Sequence, residues 1–391
     1  MAEREHDIVL FGATGFTGAL TAEYLVQNAP EGTRVALAGR NMEKLTGVRD
    51  RVSPSGPGNV ELPLLRADVT DVDSLRAIAE SAKVVITTVG PYIRYGEPLV
   101  AACAAAGTHY VDLTGEPLFV DLMWLHHHEA AERSGAKIVH SCGFDSIPYD
   151  LVALFTVNQL PQDVPIKLEG FVRVGGTFSG GTFQSALEIM GRLGESVRVA
   201  RQRRQQEPKP VGRRVRGVAG APHRDGAAGG WAIPFPTIDP QTVLRSAGAL
   251  ERYGPDFSYS HYLVVRRLPV LAGMAAGAGT VVTLAQFPPA RRAMMKIKAS
   301  GDGPSQEQRA KSWFKVRMVG EGGGQRVITE VSGGDPGYTE TSKMLSEAAL
   351  CLAHDDLPER SGQLTPAVAM GQPLIDRLSA AGIEFRTVEH G

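Results

Sequence analysis

The chain has 391 residues, 43% hydrophobic and 21% charged, with 41 basic side chains against 42 acidic ones. That length calls for two domains rather than one core, and the balanced charge leaves no global field to hold nucleic acid. Cys103, Cys142 and Cys351 stand apart without a C-x-x-C pair, which excludes a zinc knuckle or a disulfide framework and fits a reducing, cytoplasmic setting.

After the charged "MAEREHD", which does not read as a secretory signal, the first predicted strand is "DIVLF", an apolar run suited to a parallel sheet buried on both faces. It runs into "GATGFTG", whose Gly12, Gly15 and Gly18 are spaced G-x-x-G-x-x-G, one residue longer than the usual dinucleotide fingerprint. Gly12 permits the tight turn, Gly15 lets backbone approach a pyrophosphate, and Gly18 lets the next helix, "ALTAEYLVQNA", lie close to the sheet. Backbone N–H groups at that helix start, at Phe16 and Thr17, face the phosphates, and the Thr14 and Thr17 hydroxyls are further donors. The second strand, "RVALAGR", ends where an NAD site would carry Asp or Glu to grip a ribose hydroxyl. Here Arg40 stands there, with Asn41 next and Lys44 one turn on. A guanidinium pairs with a 2′-phosphate instead, so NADP(H) is expected.

"LPLLRADVTD" reads as the third strand, placing Asp68 at the adenine edge, and "DVDSLRAIAESA" as a helix capped by Asp71. "KVVITTVGPY" is the fourth strand, ending at Gly90 and Pro91, where the carboxyl edge of a sheet meets the nicotinamide ribose. A helix in "GEPLVAACAAAG", a strand in "HYVDLTGE", a helix over 118–134 and "AKIVHSCGFDSIP" complete the series. This alternation predicts an α/β fold, a Rossmann-type doubly wound parallel sheet over residues 1–150.

Residues 151–334 change period. "IKLEGFVRVGG" and "SWFKVRMVGEGGGQRVITEVSGG" are β-rich, the second a hairpin around "GEGGGQ", and "TFQSALEIMGRLGESVRVARQRR" is an amphipathic helix. An inserted α+β domain for substrate or association is expected. The tract from Arg198 to Arg216, with Arg201, Arg203, Arg204, Lys209, Arg213 and Arg214 inside it and only Glu207 opposed, reads either as a docking patch for an acidic carrier or anionic membrane, or as a solvated helix end. Residues 268–290, "LPVLAGMAAGAGTVVTLAQFPPA", carry no charge and are framed by Arg266, Arg267, Arg291 and Arg292. Their glycines and prolines weaken a straight span, leaving a peripheral membrane contact, a lid over a greasy channel, or a buried helix. In residues 335–391, "DPGYTETSKMLSEAALCLAHD" and "TPAVAMGQPLIDRLSAAG" are helices, the second ended by Gly382, and "IEFRTVE" is a strand. This segment is expected to return to the nucleotide domain.

Together "GATGFTG", "LAGR", "TTVGPY", "YVDLTGE" and "CGFDSIPYDL" resemble the saccharopine dehydrogenase-like oxidoreductases. "GEGGGQRVITEVSGGDPGYTETSKMLSEAALCLA" and "TPAVAMGQPLIDRL" are more particularly similar to the actinobacterial trans-acting enoyl reductases, which act beside polyketide synthases in complex-lipid biosynthesis. The resemblance covers nearly the whole chain. It implies an NADPH-binding Rossmann domain, an inserted mixed domain and a returning C-terminal segment, and a lipid or polyketide acyl substrate, free or on a carrier protein.

Reduction of an enoyl thioester delivers hydride to the β-carbon, so charge grows on the thioester oxygen and the α-carbon then needs a proton. Tyr92, Tyr110 and Asp145 are the catalytic candidates, with Asp112, His140 and Tyr149 beside them. Tyr110 also suits a core position and Asp145 a helix cap. No Ser-x-x-x-Tyr-x-x-x-Lys pattern and no metal cluster stands out. Two other readings stay open: a saccharopine-type C=N reductase, and a non-catalytic, membrane- or lipid-associated nucleotide-binding protein. A homodimer is compatible with each.

Overall fold

The computed structural model describes residues 4–56, 61–175, 191–266 and 303–390. The chain begins with alternating elements: β1 (His6–Phe11), α1 (Phe16–Asn28), β2 (Val35–Gly39), α2 (Met42–Val52), β3 (Leu64–Arg66), α3 (Val72–Ser81) and β4 (Ala82–Thr87). The one-turn α4 (Tyr92–Tyr95), α5 (Glu97–Ala106), β5 (His109–Val111), α6 (Pro117–Ser134), β6 (Lys137–Val139) and α7 (Ile147–Val157) follow. All six residues of β1 are buried, as a strand covered by helices on both faces requires. Asn41 and Asp71 cap α2 and α3 by accepting from the Lys44 and Ser74 amides. Gly107 and Gly135, at φ +72° and +83°, turn the chain out of α5 and α6.

The middle of the chain supplies β7 (Ile166–Gly175), α8 (Leu193–Gln206), β8 (Arg214–Gly217), β9 (His223–Asp225), β10 (Gly230–Pro234), α9 (Asp239–Ala249), β11 (Asp256–Val265), α10 (Gln306–Ala310), β12 (Trp313–Gly322) and β13 (Gln325–Gly333). The hairpin expected at "GEGGGQ" joins β12 to β13, with Gly323 and Gly324 at φ +59° and +80° supplying the two left-handed turn positions. The uncharged stretch 268–290 lies outside the described residues, and among those described no helix is long and apolar enough to cross a membrane. The chain closes with α11 (Thr339–His354), β14 (Gly362–Leu364), α12 (Pro366–Ala369), α13 (Gly371–Ala380) and β15 (Glu384–His390).

Two sheets result. The first runs β14-β6-β5-β4-β1-β2-β3, parallel throughout, and its order reverses between β1 and β4. The second runs β15-β13-β12-β7-β11-β10-β9, antiparallel except where β11 meets β7 and, off this path, β8, both of which it pairs in parallel. The last segment serves both. α11 packs on α1, where the Tyr24 hydroxyl donates to Glu347 at 2.7 Å, and β14 extends the first sheet beside β6. β15 instead pairs with β13, from Val327 opposite His390 to Ser332 opposite Glu384. The return to the nucleotide-binding half is therefore partial: the terminal strand goes to the other sheet, where Arg386 finds a carboxylate.

That carboxylate, Glu330 on β13, is 1% exposed. It binds Lys315 at 3.1 Å and Arg317 and Arg386 at 2.6 Å each. Burial works against its charge, but the bonds from Arg386, Arg317 and Lys315 prevail and hold its pKa down at about 2. The stabilisation is thus complete above the ordinary glutamate range and is lost as pH falls toward 2. Glu330→Gln removes the buried carboxylate that three partly exposed cations share; because water screens those cations, the expected cost in urea unfolding at neutral pH is about 1–2 kcal/mol, below that of a fully buried pair, with the deficit shrinking in acid.

Candidate active site

The glycine loop is built as its spacing suggests. Gly12 sits at φ +94°, and a Cβ there would come 2.7 Å from Val89 Cγ2 and 2.8 Å from Thr88 Oγ1. A Cβ on Gly18 would come 2.2 Å from the Gly12 carbonyl oxygen, so α1 can approach the turn only with glycine there. Above Gly15 the nearest atom to an added Cβ is that same oxygen at 3.5 Å: this side is open, as a phosphate cradle must be. The Thr88 hydroxyl donates to the Gly12 carbonyl at 3.1 Å, tying the loop to the end of β4 across the point where strand order reverses. Thr14 and Gly15 are exposed, and Phe16 and Thr17 half-buried, at the mouth of this cradle.

Arg40 follows β2 and is exposed, with no salt bridge among the described residues. Its charge helps to lower the pKa of Asp68, after the bonds that this carboxylate accepts from the Thr70 amide at 2.9 Å and hydroxyl at 2.8 Å. A second cation reaches the cradle from far along the chain. Arg309 on α10 holds its guanidinium 5.4 Å from the Phe16 ring centre. Its Nε and Nη1 are buried without a hydrogen-bond partner. The strap before it closes on the same ring, since a Cβ on Gly303 would come 2.2 Å from Phe16, and Tyr338 packs edge-on to it at 4.9 Å. Open space above Gly15, an unpaired cation at the end of β2 and an unsatisfied guanidinium beside Phe16 fit a dinucleotide carrying an extra phosphate.

Gly90 and Pro91 follow the carboxyl end of β4, and a second group of polar residues gathers there. Glu116, 2% exposed, accepts from the Tyr92 and Ile93 amides at 3.1 and 2.9 Å and so fixes the start of α4. The Tyr92 hydroxyl donates to the Thr87 carbonyl at 3.1 Å and accepts from the Leu113 amide at 3.2 Å, which occupies its proton and pins the end of β4 to the end of β5. Asp112, fully buried, accepts from the Tyr110 hydroxyl at 2.9 Å and from the Thr114 and Ser141 amides at 3.0 and 2.9 Å, with His140 Nδ1 at 2.7 Å. Burial, followed by the Asp112 charge, pushes both Tyr92 and Tyr110 well above the usual phenol range.

"CGFDSIPYD" forms the bridge to the second sheet. A Cβ on Gly143 would strike Leu113 at 2.6 Å, and the Phe144 amide donates to Thr341 of α11 at 3.1 Å, so this turn is held from both sides. Asp145 is half-buried against Gly115, with no salt bridge among the described residues. Burial and then the Asp112 charge raise its pKa to about 6. It does not cap α7, whose N-cap is Ser146. The hydroxyl of Tyr149, on the first turn of α7, makes no hydrogen bond among the described residues; its ring lies 5.3 Å from that of His261. Behind it lies a buried polar group from the second domain. Asp239 accepts from the Thr237 hydroxyl, its Oδ1 is unsatisfied, and its Oδ2 is 3.7 Å from His261 Nε2. Burial pushes Asp239 well up and His261 down to about 3. Asp150, by contrast, is a structural pin: it accepts from Ser246 at 2.6 Å and from the Ala367 amide at 2.8 Å, joining α7, α9 and α12.

The sequence alone points to the glycine loop, Arg40, Gly90–Pro91 and the loops after β5 and β6. It does not single out Glu116, although that residue ends "YVDLTGE", nor Asp239, His261 or Arg309, which belong to no spaced motif and take their places only through the fold. Nor does it single out Glu97, His126 and His127, whose ligand atoms lie within 4.8 Å of one another on the α5–α6 surface, a metal-type grouping that the reaction does not call on.

A parallel sheet with its strand order reversed at β1 and β4, a glycine cradle at that point and a cation at the end of β2 define an NADP(H)-dependent oxidoreductase. Residues 8–139 match the saccharopine dehydrogenase NADP binding domain family. The chain is 39% identical to Rv2449c of Mycobacterium tuberculosis, assigned by name to the trans-acting enoyl reductases, over 98% of each protein. It is 37% identical to the trans-acting enoyl reductase of Mycobacterium bovis BCG, over 99% of this chain and 98% of the relative. The chain belongs to that family. The fold as a whole matches saccharopine dehydrogenase (L-Glu forming) of Saccharomyces cerevisiae, with a TM-score of 0.58 at 12% identity, over 98% of this chain and all of that one.

Proposed function

We propose that the protein reduces the carbon–carbon double bond of a 2-enoyl thioester in lipid or polyketide assembly, acting in trans on a chain borne by a carrier protein. The observation that carries this reading is the identity of 36–39% with trans-acting enoyl reductases across 97–98% of their length. In this reading Gly12, Thr14, Gly15, Phe16, Thr17 and Gly18 cradle the pyrophosphate, Arg40 takes the 2′-phosphate, Asp68 borders the adenine, and Gly90 and Pro91 meet the nicotinamide ribose. Arg309 adds its unsatisfied donors to the phosphates. NADPH, when bound, supplies the hydride. Asp145 carries the proton for the α-carbon, because burial keeps part of it protonated near neutral pH and no cation holds it as a carboxylate. Tyr92 and Tyr110 act as positioning residues, since their hydroxyls are already engaged.

The charge of the site supports a neutral acyl group over a saccharopine-type substrate. Asp112 and Asp145 face each other's charge at this edge, and among the described residues no lysine or arginine forms a salt bridge with either; a substrate with several carboxylates would be repelled. Cytoplasmic residence, peripheral contact with the inner face of the plasma membrane through 268–290, and a homodimer complete the proposal.

NADPH consumption with a long-chain 2-enoyl thioester tests it. Turnover with lysine and a 2-oxo acid, and none with the thioester, would refute it. The cofactor assignment has its own test by fluorescence titration. Arg40→Glu is expected to weaken NADPH binding by about tenfold to a hundredfold, the worth of a charge-assisted pair, and to leave NADH binding nearly as it was.

A further inference from the structure

We propose that the outer face of α8 is the docking surface for an acidic, helical carrier domain that presents the acyl substrate; this rests on the carrier-borne reading above. The basic tract seen in the sequence splits in two when folded. Much of it works inside the protein. Arg203, 4% exposed, pairs with Asp121 of α6 at 2.7 Å and with Glu207 at 2.6 Å, and Glu207 in turn binds Arg245 of α9 at 3.0 Å. Arg213 donates to the Ala247 and Gly254 carbonyls, and Arg214 and Arg216 both pair with Asp256.

What remains is a rigid, uncompensated face. At about 3.6 residues per turn, Leu193, Val197, Arg198, Arg201 and Arg204 fall on one arc of α8, opposite the buried Val199 and Arg203. All five are exposed, Leu193 to 49% and Val197 to 67%. None of the three arginines has a carboxylate partner among the described residues. Because Arg203 is locked between α6 and Glu207, this face is presented without the freedom of a surface loop.

Its position bears on its partner. α8 is anchored to Asp121, at the start of the second turn of α6, and α6 begins immediately after Glu116, which fixes the start of α4 at the carboxyl edge of the sheet. A domain seated on α8 therefore stands next to the loop that borders the site, as a carrier feeding that site by a flexible arm must. Planar guanidinium groups spaced along a helix match a row of carboxylates on a partner helix, and an unpaired basic face speeds encounter with an acidic partner. A lipid surface fits less well, since an interfacial helix needs a broad apolar face and this arc has two apolar side chains, both at its first turns.

The test uses the full-length enzyme carrying Arg198→Glu, Arg201→Glu and Arg204→Glu together. Two substrates bear the same 2-enoyl chain, one on an acidic acyl-carrier domain and one on free pantetheine. Expected is a rise of at least about tenfold in KM for the carrier-borne chain, with kcat and KM for the pantetheine thioester unchanged. The wild-type KM for the carrier should also climb with salt, whereas that of the variant should not. Equal KM values for wild type and variant on the carrier overturn the proposal, as does a wild type that reduces the pantetheine thioester but not the carrier-borne one. Co-sedimentation of the wild type with anionic lipid vesicles that the triple variant loses, at unchanged carrier KM, assigns the face to a membrane and also overturns it. A wild type that reduces neither thioester refutes the enoyl reductase reading itself.

Discussion

Gly18→Ala is expected to abolish measurable NADPH binding, raising Kd by more than about a hundredfold, and to cost up to about 3 kcal/mol of stability. The new methyl carbon would stand 2.2 Å from the Gly12 carbonyl oxygen, 2.9 Å from the Gly12 carbonyl carbon and 2.9 Å from Thr88 Oγ1. Two of these atoms are backbone, so α1 must move off the turn; such overpacking costs about 1–3 kcal/mol. The movement also carries the first amides of α1 away from the phosphates and breaks the Thr88 tie between the loop and β4. Gly15→Ala separates the two effects. Its Cβ meets nothing closer than 3.5 Å, so that variant should unfold at the wild-type urea concentration and lose affinity only through direct obstruction of the ligand. Fluorescence titration and urea unfolding decide the matter. Wild-type affinity in Gly18→Ala would show that the dinucleotide lies elsewhere.

Asp145→Asn is expected to lower kcat by about a hundredfold or more, the usual worth of a general acid, while the Kd for NADPH stays put. The direction of the pH effect follows from a pKa raised to about 6 by burial and by Asp112. The acid form delivers the proton, so wild-type kcat should be greatest below pH 6 and decline above it, whereas the residual rate of the asparagine variant should be flat. Stability shifts in the same sense. A carboxyl whose folded pKa lies above its unfolded value favours the fold at low pH and loses that contribution as pH rises through about 6. The asparagine variant should therefore gain on the wild type in urea unfolding above that pH. A pH-dependent kcat that survives in Asp145→Asn would move the proton to another group, with Tyr149, one turn on, the first to replace.

The sequence displays those features that arise within a few residues of one another. Strand–helix alternation, the glycine spacing, the Asn41 and Asp71 caps and the "GEGGGQ" turn are all local, and each forms where its pattern lies. Arg40 is legible because the end of the second strand is a fixed address in this kind of sheet. What stays hidden is decided by partners far away in the chain. Arg203 sits in a run of cations and looks solvated, but Asp121 removes it from water. Tyr92 has the chemistry of a proton donor, and only the folded chain reveals that Thr87 and Leu113 engage its hydroxyl. Arg309 and His261 stand in no motif; one reaches the glycine loop through the packing of the second domain on the first, and the other meets the Asp239 carboxylate within the second domain.

The divided C-terminal segment bears on how the protein is made. Until β14 and β15 are in place, the parallel sheet lacks its seventh strand and β13 offers a bare edge with Glu330 short of one of its three cations. The parallel sheet is completed first, because β14 precedes β15 in the chain, and the second sheet waits for the later strand. An unpaired strand edge is a template for another chain, so the nascent protein passes through a stage in which self-association competes with completion. β15 ends that stage, because it covers the edge of β13 and brings Arg386 to Glu330 in one step.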